Sequence, residues 1–218
     1  MFANFSKLLK KATDLKKEKK YLDALDVLKK AINQGKDEVT ILHRLRVPMY
    51  LTLAGKNDEA WREAEAICID VKKQKVPFEI MDVYNSFSSI KRAEGDFDGE
   101  LIYGLIGFIE DTNRLYKLYE YYLEEHKEQQ KEFGENYLID WGYTKDEHSG
   151  MKYLKEFENR KKVDIKWLKK YHINEKTLKK TSFINREDDL IESFKKISDK
   201  LPLKGDENLV EDYFELLK

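Results

Sequence analysis

The sequence predicts an all-α protein, and three observations carry that expectation. Charged residues make up 38% of the 218-residue chain and apolar residues 41%, a balance that suits amphipathic helices with wide solvated faces. Three prolines and ten glycines punctuate it, and the stretch 101–133 holds few turn formers, whereas a strand-rich fold turns about every eight to twelve residues. Apolar residues recur at helical spacing, and the pattern itself returns along the chain. At this length about 70% of the unfolded chain's surface can be buried, so a core needs no covalent staple.

The recurrence sets the first elements. Lys19-Lys20-Tyr21-x-x-Ala24-Leu25-x-x-Leu28-x-x-Ala31-Ile32 aligns with Gly55-Lys56-Asn57-x-x-Ala60-Trp61-x-x-Ala64-x-x-Ile67 and with Gly95-Asp96-Phe97-x-x-Glu100-Leu101-x-x-Gly104-x-x-Gly107, at spacings of 36 and 40 residues. An apolar-periodic stretch precedes each segment. The reading is therefore three helix pairs: Phe5–Lys17 with Tyr21–Asn33, Val39–Leu53 with Asp58–Lys73, and Phe78–Ala93 with Phe97–Thr112. Pro48 falls inside the third helix and is expected to kink or break it, because proline supplies no N–H and crowds the preceding turn.

Beyond Thr112 the pattern fades. A helix is expected over Arg114–Phe133, with Leu115, Leu118, Tyr119, Tyr122 and Leu123 on one face and a polar end at Lys127–Glu132. Gly134–Gly150, with Tyr137, Trp141 and Tyr143 between its glycines, reads as an irregular connection. Met151–Tyr171 reads as one helix or two broken near Lys162. Asn185 is placed to cap a helix that has Asp188 and Asp189 near its positive end and reaches Leu201 before Pro202; a last helix covers Asp206–Leu217. Residues 1–113 thus form hairpins, and 114–218 a helical region able to pack on them as a cap.

The aligned segments resemble the tetratricopeptide repeat, over roughly residues 5–112. Tyr21, Ala24 and Ala31 carry the likeness in the first unit, Gly55, Ala60 and Ala64 in the second, and Gly95 and Phe97 in the third. Pro48, Glu100 in place of an alanine, and the long spacings depart from it. The resemblance implies a right-handed superhelical stack of about three hairpins followed by an irregular helical C-terminal region. It also implies that the first helix of each pair lines a concave groove able to hold a peptide. On that geometry the groove carries Leu9, Thr13 and Lys16, then Leu45, Met49 and Thr52, then Asn85, Ser89 and Arg92. Lys16 and Arg92 suit acidic side chains, and Leu45 and Met49 give an adaptable apolar centre. Leu9, Leu45 and Met49 stand where the family's clamp for a C-terminal carboxylate needs lysine or asparagine, so that role is not expected.

Chemistry-bearing motifs are sparse. The chain has no Walker loop, dinucleotide glycine fingerprint, His-Glu-x-x-His or Gly-x-Ser-x-Gly. His43, His126, His148 and His172 are far apart, and adjacent residues in Asp146-Glu147-His148-Ser149 point different ways, which makes a poor metal site. His43, beside Arg44 and Arg46, is either a groove contact or plain helix surface. Cys68, the single cysteine, lies in the apolar run Ala66-Ile67-Cys68-Ile69 and reads as a buried small hydrophobe. No enzyme activity, cofactor or metal is expected. The leading reading is a protein-interaction module, an adaptor or regulator that binds a peptide or protein.

A second reading is nucleic-acid binding through 152–180, a stretch with a net charge of about +7. Arg160, Lys161, Lys162, Lys166, Lys169 and Lys170 would meet phosphates there, and Trp167 would stack on a base. The whole chain carries a net charge of only −1, so acidic and basic helices packed side by side explain the stretch more simply. No window approaches a membrane span, and Met1–Lys20 lacks the apolar run of a secretory signal, so a reducing cytoplasm is the default location. A stack has two ends, and monomer and dimer are both compatible with it.

Overall fold

A computed structural model describes residues 2–134, 152, 155, 175–183 and 186–200, and no strand occurs among them. The helices are α1 (Phe2–Lys17), α2 (Tyr21–Gly35), α3 (Ile41–Leu53), α4 (Asn57–Lys72), α5 (Ile80–Glu94), α6 (Phe97–Phe133), α7 (Glu175–Leu178) and α8 (Glu187–Lys200), with a 3-10 turn at Lys36–Glu38. From α1 to α6 each helix packs on the next, α3 also packs on α5, and α7 and α8 pack on α6. The all-helical expectation holds across the described residues. The expected helices at 151–171 and 206–217, the connection at 135–150 and the Asn185 cap lie outside them.

Three short turns close the helix pairs in the same way. Lys19, Gly55 and Gly95, the aligned positions, all have positive φ, at 61°, 73° and 79°. In each turn the next residue's N–H reaches five residues back, from Lys20 to Leu15 at 3.0 Å, from Lys56 to Leu51 at 2.9 Å and from Asp96 to Lys91 at 3.0 Å. That bond is the signature of a helix end closed through the left-handed region, where glycine avoids the Cβ clash. Lys19 bears the strain that Gly55 and Gly95 escape. Replacing it, as Lys19→Gly, is expected to raise stability by about 0.5–1 kcal/mol, the relief of a left-handed lysine less the entropy glycine loses on folding. Urea denaturation of the two proteins checks this; an unchanged or lower midpoint sinks it.

Several boundaries differ from expectation for local reasons. α3 begins at Ile41 because Thr40 caps it: the Thr40 hydroxyl accepts from the His43 N–H at 3.4 Å, and the Thr40 N–H donates to His43 Nδ1 at 3.1 Å. α5 begins at Ile80, after a turn in which the Ile80 N–H donates to the Pro77 carbonyl at 3.2 Å, which leaves Phe78 outside the helix and exposed. Pro48 does not divide α3, which runs unbroken from Ile41 to Leu53 with Pro48 buried. Proline supplies no N–H for the Arg44 carbonyl, and the helix continues past that one missing bond.

The largest difference is α6. The helices expected over 97–112 and 114–133 form a single helix of 37 residues. Nothing stops it, since no glycine or proline occurs between Gly107 and Gly134. Within it the Thr112 hydroxyl donates back to the Phe108 carbonyl at 2.8 Å, which satisfies the buried hydroxyl, and Arg114 donates to Asp111 at 2.7 Å.

The core follows the spacing of small and large residues. α2 buries Ala24, Leu25, Leu28 and Ala31, and α4 buries Ala60, Ala64, Ile67, Cys68 and Val71. These stripes fall at three- and four-residue intervals, and the alanines let neighbouring backbones approach. Gly107 serves the same end on α6, where a Cβ would sit 2.8 Å from Tyr84 Cβ. An aromatic cluster then ties three helices together: Trp61 of α4 lies 4.9 Å from Phe87 of α5 and 5.3 Å from Tyr103 of α6, and Phe87 stacks on Tyr103 at 5.3 Å.

The middle of α6 is buried on nearly every side because α8 covers what α5 leaves. Leu190, Phe194 and Ile197 of α8 are all buried, with Phe194 5.8 Å from Phe108. α7 is joined to the start of α6 by Thr177, whose hydroxyl donates to Glu100 at 2.8 Å, and just beyond it the Ser182 N–H donates to Asp98 at 2.7 Å.

Candidate functional site

α3 and α5 run side by side and leave a cleft between them. Leu42, Leu45, Arg46, Met49 and Thr52 of α3 form one wall, and Asp82, Asn85, Ser86 and Ser89 of α5 the other, around a volume of about 260 Å³. Each wall repeats at three- and four-residue steps, so one face of each helix supplies it. Leu45 is buried, while Leu42 and Met49 stay 53% and 38% exposed. The apolar side is thus available on α3, and the polar side lies on α5.

Five of the residues expected to line a groove meet in this cleft: Leu45, Met49, Thr52, Asn85 and Ser89. Lys16 and Arg92 are not part of its lining. Lys16 is half-buried on α1, and Arg92 turns to Glu100 of α6, to which its Nε donates at 2.7 Å. Leu9 and Thr13 are tied to α3, since Arg46 donates to the Leu9 carbonyl at 3.3 Å and to the Thr13 hydroxyl at 2.9 Å. The seven residues named for nucleic-acid binding, Arg160 to Lys170, lie outside the described residues.

The basic trio of α3 is committed within the fold. His43 completes the Thr40 cap and meets Phe5 edge-on at 5.2 Å. Arg44 pairs with Asp70 of α4 at 2.8 Å, and that hydrogen bond holds the Asp70 carboxyl below its ordinary range. Arg46 reaches towards α1 and also donates to the Tyr50 hydroxyl at 2.7 Å. Leu42, Arg46, Asp82 and Ser86 were not expected in the lining. Leu42 was accessible to sequence reasoning, because it precedes Leu45 by three and Met49 by seven on the same face; the α5 residues needed the register between two helices.

The strongest electrostatic shifts lie in the core and not in the cleft. Burial pushes the Cys68 thiol up to about 11, and burial together with the nearby charges of Glu65 and Asp96 raises the Tyr103 phenol. Both groups are held neutral at physiological pH, and Cys68 is the inert buried thiol its sequence context suggested. Among the described residues no helix is long and apolar enough to cross a membrane, and no three His, Cys, Asp or Glu side chains converge as a metal site. Compared with known proteins, the chain matches no family model, no curated protein and no solved structure.

Proposed function

We propose that the chain is a non-enzymatic interaction module, an adaptor or regulator, which holds a peptide or protein segment in the α3–α5 cleft. The observation that carries this reading is the pairing of an exposed apolar edge, Leu42 and Met49 over buried Leu45, with a facing polar edge on a second helix. A volume of about 260 Å³ is below the roughly 300–1,000 Å³ of enclosed small-molecule pockets and suits one or two anchoring side chains of a longer ligand. Flexible methionine at the rim adapts to more than one anchor. The similar turns at Lys19, Gly55 and Gly95 and the buried Ala24 and Ala60 that follow them support a reading of the fold as tetratricopeptide-like hairpins stacked into a right-handed superhelix. A cytoplasmic location accords with a free, buried cysteine.

The test is selection of a displayed library of random linear peptides on the immobilised full-length protein, followed by counter-selection on Met49→Asp. Burying a carboxylate against Leu45 should abolish cleft binding, while the exposure of Met49 keeps the fold intact by circular dichroism. Recovery of peptides lost on Met49→Asp supports the reading. A pool that binds both proteins alike, or no pool at all, removes it.

A further inference from the structure

The polar wall of the cleft is not neutral in character, and its bias identifies the ligand. Three hydroxyls at the rim spend their protons on their own helices: Thr52 donates to the Pro48 carbonyl at 2.8 Å, Ser89 to the Asn85 carbonyl at 2.8 Å, and Ser86 to the Asp82 carbonyl at 3.4 Å. What each leaves facing outward is an oxygen lone pair. Asp82 stands among them, exposed in the first turn of α5, where the helix dipole favours its negative charge. Among the described residues no side chain pairs with its carboxylate. The single cation of the lining, Arg46, is turned away to Leu9, Thr13 and Tyr50. The cleft therefore offers an apolar floor beside a row of acceptors and one carboxylate that no side chain among the described residues pairs.

From this complementarity we infer that the occupant is a linear segment in which an apolar side chain sits beside a lysine or arginine. The apolar side chain packs against Leu42, Leu45 and Met49, and the cation meets Asp82 and the hydroxyl oxygens of Ser86 and Ser89. A carboxylate in that place would face the Asp82 carboxylate and the hydroxyl lone pairs, so an acidic segment is disfavoured. The inference rests on the peptide-binding reading of the same cleft. It adds the sign of the ligand, which is opposite to the one that Lys16 and Arg92 suggested in the sequence.

The peptides lost on Met49→Asp supply the test. Their sequences should be enriched in lysine or arginine within a few positions of an aliphatic or aromatic residue. Anisotropy titrations then use one enriched, labelled peptide and its Lys→Gln version against the full-length protein and its Asp82→Asn and Asp82→Lys variants. An exposed ion pair predicts a loss of about fivefold for Asp82→Asn, with no further loss when the peptide's lysine is also removed. Asp82→Lys should cost more than Asp82→Asn. A Met49-dependent pool that is neutral or acidic, or affinities indifferent to Asp82, overturns the cation inference and leaves the cleft reading standing. An empty pool removes both.

Discussion

Phe87→Ala is expected to destabilise the protein by about 3–5 kcal/mol, the range for removing a fully buried aromatic ring. Phe87 is 3% exposed, and its ring meets those of Trp61, Tyr84 and Tyr103. Truncation removes the transfer energy of the ring and opens a cavity that the neighbours cannot fill without leaving their rotamers. A loss of that size is a large share of the 5–15 kcal/mol typical of a folded domain. The damage should extend to the cleft, because Phe87 lies on α5 between Asn85 and Ser89 and fixes the height of that wall. Leu22→Ala is the control: Leu22 is 50% exposed, and its truncation should cost less than about 0.5 kcal/mol. Equilibrium urea unfolding measures both. Equal effects would mean that the aromatic cluster does not hold α4, α5 and α6 together.

Periodicity made the helices legible, and it also found the turns. Lys19, Gly55 and Gly95 align through the recurring spacing of the residues that follow them, and all three have positive φ although Lys19 is not a glycine. The resemblance to the repeat family, and not the spacing alone, put Leu45, Met49 and Thr52 of α3 and Asn85 and Ser89 of α5 in one groove, and these five line the cleft. Local spacing does not report partners across helices. Nothing near Arg92 in sequence says that its guanidinium reaches Glu100, and nothing near Arg46 says that it crosses to α1. A cation's commitment depends on the neighbouring helix's register, which its own stretch of sequence does not carry. The continuity of α6 through residues 112–114 escapes sequence reading for the opposite reason, while its end at Phe133 is as expected. The apolar pattern fades after Thr112, yet a helix continues until a breaker or an unfavourable end stops it, and here the next such residue is Gly134.

Arg92→Met should cost about 2 kcal/mol, and pairing it with Glu100→Ala should restore most of that loss. Glu100 is 4% exposed, and its carboxylate is met by Arg92 and by the Thr177 hydroxyl, both on Oε1, while Oε2 is buried without a partner. Removing the guanidinium leaves a buried carboxylate with one neutral donor, a change that for fully buried pairs costs about 3–5 kcal/mol. Arg92 is 53% exposed, and solvent screening brings the figure down to the stated value. Deleting the carboxylate as well removes the group that needed neutralising, and alanine is the residue that the other two helices carry at the aligned positions, Ala24 and Ala60. The double variant also loses the Thr177 bond. Global stability should recover while hydrogen exchange at residues 175–183 accelerates, because that segment would lose the Thr177 tie to α6 and keep only the Ser182 bond to Asp98. A double-mutant cycle reads the coupling: additive losses would show that Arg92 and Glu100 act independently. Arg92 would then be free to serve the ligand, as the acidic-partner reading of the groove required.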